Sequence, residues 1–287
     1  MSRLQNLPSG FQSSRRNLIR IGAIVASAII AKATSAAADD FRRDDFDRDR
    51  GKDWHRDIDW HKDGGWHKDF HCFLKGTTVR TADGDRKIED LAVGDLLPTT
   101  FGGISPIQWI GRYRFKKSNP EKAWVKQVRP IRIAQSALAP GMPHADLYLT
   151  QTHAVLIDGV LVEAGNLITG TTITRYDADE LDQLEFFHVK LERHDVIYAE
   201  GTPCESLSTE DENAVNFADY LRRYGPASRD EPLCAPRIYY EYTRGEIKSC
   251  FRSAISPWID RRKTVDIIRD KLDARGAALL RESELIS

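Results

Sequence analysis

The stretch His71-Cys72-Phe73-Leu74-Lys75-Gly76-Thr77-Thr78-Val79 divides the chain into two kinds of polymer. Upstream of it the sequence reads as leader and low-complexity peptide, and downstream as folded protein. A cysteine at such a junction points to chemistry on the junction itself. With 287 residues, 41% hydrophobic and 30% charged, the chain can build one sizeable core with tails. Its 42 basic and 43 acidic residues nearly cancel, and no folded-looking stretch carries a dense basic run, which argues against a nucleic-acid partner. Cys72, Cys204, Cys234 and Cys250 show no metal-ligand spacing. In an exported protein an even count equally suits two disulfides, so cysteine arithmetic leaves nucleophile and staple open.

Working outward toward the start, residues 13–38 have the order of an export signal. Ser14-Arg15-Arg16-Asn17-Leu18-Ile19-Arg20 is followed by an apolar run from Ile21 to Ala31 and by small residues Ser35-Ala36-Ala37-Ala38. The paired arginines resemble a twin-arginine signal, cut after Ala38 or Ala37. The apolar run falls short of the roughly 20 residues that a membrane span needs, so no stable span is expected. Signal peptide 1–38 implies export to the periplasm or the cell exterior.

Residues 39–71 form a second segment. Its first 32 positions hold eleven Asp, eight Arg or Lys and no Glu, with Ile58 almost alone as an aliphatic residue. Such a composition cannot bury enough apolar surface to offset its ordering entropy, and disorder is expected. A six-residue repeat runs through it: Trp54-His55-Arg56-Asp57, Trp60-His61-Lys62-Asp63 and Trp66-His67-Lys68-Asp69. His55, His61 and His67 on a mobile chain suit a weak divalent-metal site, and the tryptophans suit a carbohydrate or membrane surface. The plainer reading is a solvated spacer that keeps Cys72 accessible.

Downstream, β-branched runs alternate with turn signals. Strands are expected over residues 77–81, 104–111, 129–133, 146–150, 154–157, 159–162, 186–191 and 195–199, with a tight turn at Asp158-Gly159. Short strands at this spacing predict an all-β domain over residues 72–206. Residues 207–287 read as a small helical C-terminal extension packed on it. Helices are expected over residues 211–223 and 258–280, and nothing catalytic is evident there.

Several blocks, in this order, resemble the Hint family, the autoprocessing domain shared by hedgehog proteins and inteins, in its bacterial exported form. They are Cys72-Phe73-Leu74-Lys75-Gly76-Thr77, Ile88-Glu89-Asp90-Leu91-Ala92-Val93-Gly94-Asp95, Gln108-Trp109-Ile110-Gly111, Thr150-Gln151-Thr152-His153 and His188-Val189-Lys190-Leu191-Glu192-Arg193-His194-Asp195. The resemblance implies a horseshoe-like β fold that needs no cofactor. It also implies an attack by Cys72 on the His71 carbonyl, giving a thioester. Thr150 and His153 match the family's Thr-x-x-His block, Thr150 holding the junction strained and His153 protonating the Cys72 nitrogen. His188 falls near a position where inteins often carry an Asp or Cys that supports a later step. His194-Asp195 stands where inteins show His-Asn.

One departure bears on the outcome. Inteins end in an asparagine that cyclises, whereas here the chain runs Thr202-Pro203-Cys204-Glu205-Ser206 and continues for 81 residues. The resemblance therefore implies cleavage rather than splicing, the chain's own N-terminal segment being the substrate and water or a thiol resolving the thioester. Cys204 can accept the acyl group or pair with Cys234 or Cys250. Because twin-arginine substrates travel folded, cleavage is expected to be slow or triggered, or the short peptide alone is exported. Two other classes remain open: an inert exported Hint-fold binding or display module with a metal- or surface-binding Trp-His arm, and a β protein stapled by a bridge at Cys72.

Overall fold

The computed structural model describes residues 71–208 except 118 and 127, residues 220, 222, 224–225, 232–239, 252–253 and 256, and residues 262–286. The expected export signal and the Trp-His repeats, with His55, His61 and His67, lie outside the described residues. So does the helix expected over residues 211–223, apart from helical positions Tyr220 and Arg222; Tyr224, one residue past its expected end, is helical too.

The described chain is built almost wholly of short strands, as the spacing of its turns predicts. In chain order they are β1 (Phe73–Leu74), β2 (Thr78–Thr81), β3 (Gly84–Lys87), β4 (Leu96–Thr99), β5 (Gly103–Lys116), β6 (Ile131–Ile133), β7 (Leu147–Leu149), β8 (Ala154–Ile157), β9 (Val160–Glu163), β10 (Ile173–Arg175), β11 (Gln183–Leu191), β12 (Val196–Ala199), β13 (Thr202–Glu205) and β14 (Arg237–Ile238). One sheet has the order β10-β6-β7-β1-β11-β5-β4 and the other β14-β9-β8-β13-β12-β2-β3.

Turn chemistry sets several of these pairings. Asp158 and Gly159 both take positive φ, 51° and 79°, the backbone that a two-residue turn needs to match the twist of β8 and β9. Glu200 and Gly201 do the same, at 45° and 71°, between β12 and β13. β13 lies beyond the last strand expected from the sequence, and Pro203 is accommodated in it opposite Tyr198. β14 also lies beyond the expected domain end at residue 206, and pairs in parallel with β9 through Arg237–Leu161 and Ile238–Val162.

The backbone of the first sheet is the long ladder of β5 against β11, which slips register between Lys190 and Leu191. The two-residue β1 enters the middle of that sheet, between β11 and β7. Its hydrophobic content explains the central position. Phe73 and Leu74 are buried, and Leu74 packs in one cluster with Cys72, Tyr113, Phe115, Trp124 and Phe186. Full burial of such side chains stabilises by roughly 2–3 kcal/mol each.

The C-terminal unit carries the helix α1 (Thr264–Ile286), which runs past the expected end at residue 280. Asp266 organises its first turn: its carboxylate accepts the Lys263 N–H at 2.8 Å and both nitrogens of the Arg252 fork, at 2.5 and 3.0 Å.

On β11, one residue before Phe186, the buried carboxylate of Glu185 gathers three cations: Lys75 at 3.2 Å, Arg114 at 3.3 Å, and Arg112. Burial opposes its ionisation, but these donors prevail and hold the carboxyl down at about 2 from an ordinary 4.5. A depressed carboxyl stabilises the fold above its unfolded pKa, and that contribution is lost as pH falls through about 2. Glu185→Gln is therefore expected to lower the unfolding free energy near pH 7 by about 2 kcal/mol. It is also expected to flatten the loss of stability below pH 4.5, read from urea midpoints at several pH values; midpoints equal to wild type throughout would contradict this.

Candidate functional site

Two antiparallel registers meet at Cys72. β1 pairs Phe73 with Phe187 on one side and with Leu149 on the other. Carrying both ladders back by one residue puts Cys72 opposite His188 and opposite Thr150, and the contacts agree. The Cys72 N–H donates to Thr150 Oγ1 at 2.9 Å, the Thr150 N–H donates to the Cys72 carbonyl at 3.0 Å, and Cys72 Sγ lies 3.4 Å from His188 Nδ1. Cys72 is 2% exposed and forms no disulfide, so it is neither openly accessible nor bridged; the spacer itself lies outside the described residues. Cys204 and Cys234 are free thiols as well, and burial pushes the Cys204 thiol well above its ordinary range, aided by the charge of Glu205. Cys250 lies outside the described residues.

His153 follows Thr150 through a turn closed by its own N–H to the Thr150 carbonyl, at 3.2 Å. Its ring stacks against Phe73 with centroids 4.3 Å apart and is fully enclosed. Among the described residues neither ring nitrogen makes a well-formed hydrogen bond, the His71 backbone coming nearest to one. Burial pushes its pKa down to about 4, with Glu205 opposing, His71 and Arg237 adding to the depression, and the His71 backbone favouring the charged form. An imidazole in this setting is neutral at pH 7. Once protonated, it is a stronger acid than free imidazole.

His188 is fitted rather than merely placed. It faces Gly111 across the β5–β11 ladder, and a β-carbon on Gly111 would overlap its ring. Trp109 lies over it, centroids 5.1 Å apart. Tyr113 borders the same space, its phenol pushed upward by burial and by Cys72.

His71 is buried too, at 2% exposed. Its Nδ1 lies 3.1 Å from Glu205 Oε1 and 2.9 Å from Arg237 Nη2. Arg237 also donates to Glu205 Oε2 at 2.9 Å, to Glu163 at 3.2 Å and to the Thr152 carbonyl at 3.2 Å. Burial works against an ionised Glu205, but the nearby His194 ring, the hydrogen bond with His71 and the charge of Arg237 hold its carboxyl well below the usual range.

The residues brought together are thus the peptide His71-Cys72, the turn Thr150–His153 and the imidazole of His188. Residues 71–211 match the profile of the Hint domain family. That stretch is a Hint domain. Solved structures similar to it include the gp41-1 intein, with 16% identity over 46% of this chain and 97% of that one, TM-score 0.33. A bacterial intein-like domain from Clostridium thermocellum is 14% identical over 48% of this chain and 100% of its own, TM-score 0.33. A DnaB intein from Synechocystis sp. PCC 6803 is 11% identical over 48% and 99%, TM-score 0.34. No curated protein matches the chain. A Hint domain supports self-processing as the general activity.

Within this Hint domain the remaining sequence candidates sit elsewhere. His194 approaches Glu205, with Nε2 3.8 Å from Oε2, and its Nδ1 accepts the Cys234 N–H at 3.1 Å. Asp195 turns to the β4–β5 loop, accepting the N–H groups of Phe101 at 3.1 Å and Val196 at 2.7 Å. Sequence reasoning left Gly111, Tyr113, Glu205 and Arg237 without roles. Gly111 stood inside a recognised block, and only its cross-strand partner reveals what its bare Cα admits. Arg237 carries no local signal at all.

Gly111→Ala is expected to destabilise the domain by about 1–3 kcal/mol through overpacking, and to move His188 off the Cys72 sulfur. Urea unfolding together with the His188 ring resonances would measure both, and an unshifted ring in a stable Ala variant would contradict this account of the glycine.

Proposed function

We propose that the Hint domain cuts its own chain at the His71–Cys72 bond by an N-to-S acyl shift. The observation that carries this reading is the engagement of both reacting atoms of one residue: Thr150 Oγ1 holds the Cys72 amide nitrogen and His188 Nδ1 meets the Cys72 sulfur. In the first step His188 takes the thiol proton, and Sγ forms a bond to the His71 carbonyl carbon. The C–N bond then breaks, and the departing Cys72 nitrogen is protonated by the small fraction of His153 that has taken up a proton from solvent at pH 7, its pKa lying down at about 4. Because a thioester lies above an amide in free energy, the step requires a site that excludes bulk water and holds the bond in place. The burial of His71, Cys72 and His153 supports this.

In the second step water or a thiol adds to the thioester carbonyl. With water, the C–S bond breaks, His71 ends in a carboxylate, and Cys72 keeps its thiol and gains a free amine. No cyclising asparagine follows β13, since Ser206 comes after Glu205, so cleavage rather than ligation is the product. The peptide released is the acidic Trp-His segment with whatever leader it still carries.

Intact-mass spectrometry of the full chain, with and without dithiothreitol or hydroxylamine, tests the reading. Wild type is expected to split between His71 and Cys72 and faster with either nucleophile. Cys72→Ala should stay whole, and His153→Ala should slow the split by about 100-fold or more. If the wild type remains whole with both nucleophiles, the acyl-shift reading fails.

A further inference from the structure

Of the buried charged clusters that the acyl shift does not consume, that of Glu205 and Arg237 closes on the residue before the nucleophile. His71, Glu205, Arg237 and Glu163 are each about nine-tenths or more buried at their side chains. A side chain on the peptide that is cut away has no evident reason to enter such a cluster, because ordering it and desolvating it both cost free energy. Resting on the proposed cleavage, we infer that Glu205 and Arg237 form a pocket that selects imidazole at the position preceding Cys72, and so fixes the carbonyl that the thiol attacks.

The geometry explains why imidazole fits. Nδ1 of His71 sits between a carboxylate oxygen at 3.1 Å and a guanidinium nitrogen at 2.9 Å. As a bare nitrogen it accepts the Arg237 N–H, and as N–H it donates to Glu205; one ring atom serves both protonation states. An aliphatic side chain here would leave a buried carboxylate and a buried guanidinium facing hydrocarbon, the arrangement by which polar sites reject analogues that lack the matching group. An asparagine amide ends at the same distance from the backbone as Nδ1 and offers both a donor and an acceptor.

The pocket is joined to the chemistry on two sides. Glu205 Oε1 also accepts the Ala154 N–H at 2.7 Å, the residue next to His153, and Arg237 holds the Thr152 carbonyl. It is completed from outside the family match: Arg237 is delivered by β14, some 26 residues beyond position 211, and kept in place by the pairing with β9 and by Tyr239, whose ring lies 5.2 Å from the guanidinium carbon. Glu205 and Arg237 are positioning and specificity-determining residues in this account, and His71 is the substrate side chain they hold.

The test is a comparison of ratios in the full chain. Cleavage rates with hydroxylamine are measured by intact mass for His71, His71→Asn and His71→Leu, each in the wild-type, Glu205→Gln and Arg237→Met backgrounds, with circular dichroism confirming that each is folded. In the wild-type background His71 is expected to outpace His71→Leu by about 10-fold or more, with His71→Asn between them. In the two pocket variants the ratio should fall below about 3-fold. A purely structural role would slow all three alike and leave the ratio intact, which would overturn the proposal. A second measurement separates it from the cleavage reading. In the uncleavable Cys72→Ala chain, the 15N resonances of the His71 ring should lie far from free-histidine values and shift on Glu205→Gln. A free-histidine spectrum that ignores Glu205 would overturn the pocket whether or not the wild type cleaves, whereas a shifted spectrum with no cleavage would sustain the pocket and remove only the acyl shift.

Discussion

The structure depends on a two-residue strand. β1 is too short to be stable by itself, yet it occupies the centre of a seven-stranded sheet with hydrogen-bonded neighbours on both sides. Its residues Phe73 and Leu74 supply the burial that keeps it there. The residue just before a central strand shares its surroundings without sharing all of its ladder bonds. That is the position of Cys72, whose amide is left to a side-chain hydroxyl instead of a backbone carbonyl. A peptide bond so placed is dry, held on both flanks, and approached by whatever side chains the neighbouring strands carry at the same level.

Those neighbours arrive by different physical routes. Thr150 and His153 come from one turn, so their spacing is local. His188 comes from the neighbouring strand β11, 116 residues on in sequence, where it leans over Gly111 because no β-carbon is there to stop it. The register slip that follows at Lys190 and Leu191 re-aims the strand immediately afterwards. His153 is enclosed and made acidic by its surroundings, while Glu205 is enclosed and kept ionised by its partners. Burial alone would push a carboxyl up and an imidazole down; the difference is that Glu205 has an arginine and two histidines within reach. The same low-polarity interior thus yields one neutral acid-base group and one fixed negative charge a few residues apart in space.

A buried charge cluster is an expensive way to stabilise a domain, since desolvation offsets most of the attraction, and similar volumes of hydrocarbon commonly do as well. What such a cluster supplies is selectivity, because leaving either member unpaired is costly. Here the cluster joins the second sheet, through Glu163, Glu205 and Arg237, to the entry of the N-terminal segment at His71. The Hint domain and the strand that follows it are thereby parts of one site.

The all-β class, most strands and the tight turn at Asp158-Gly159 were legible in the sequence because each rests on local spacing: alternation along a strand or positive φ in a turn. Thr150 and His153 were legible only through their match to the family's Thr-x-x-His block. Cys72 was legible as a junction because composition changes there. Residues whose meaning lies in a contact across the fold were not legible. Gly111 acquires its role only opposite His188, Asp195 is drawn to a hairpin loop 94 residues away in sequence, and Arg237 is brought to His71 across 166 residues by a parallel strand pairing. Local pattern determined which residues can form strands and carry acid-base chemistry; tertiary register decided which of them meet, because a one-residue change in pairing sends every side chain of a strand to the opposite face.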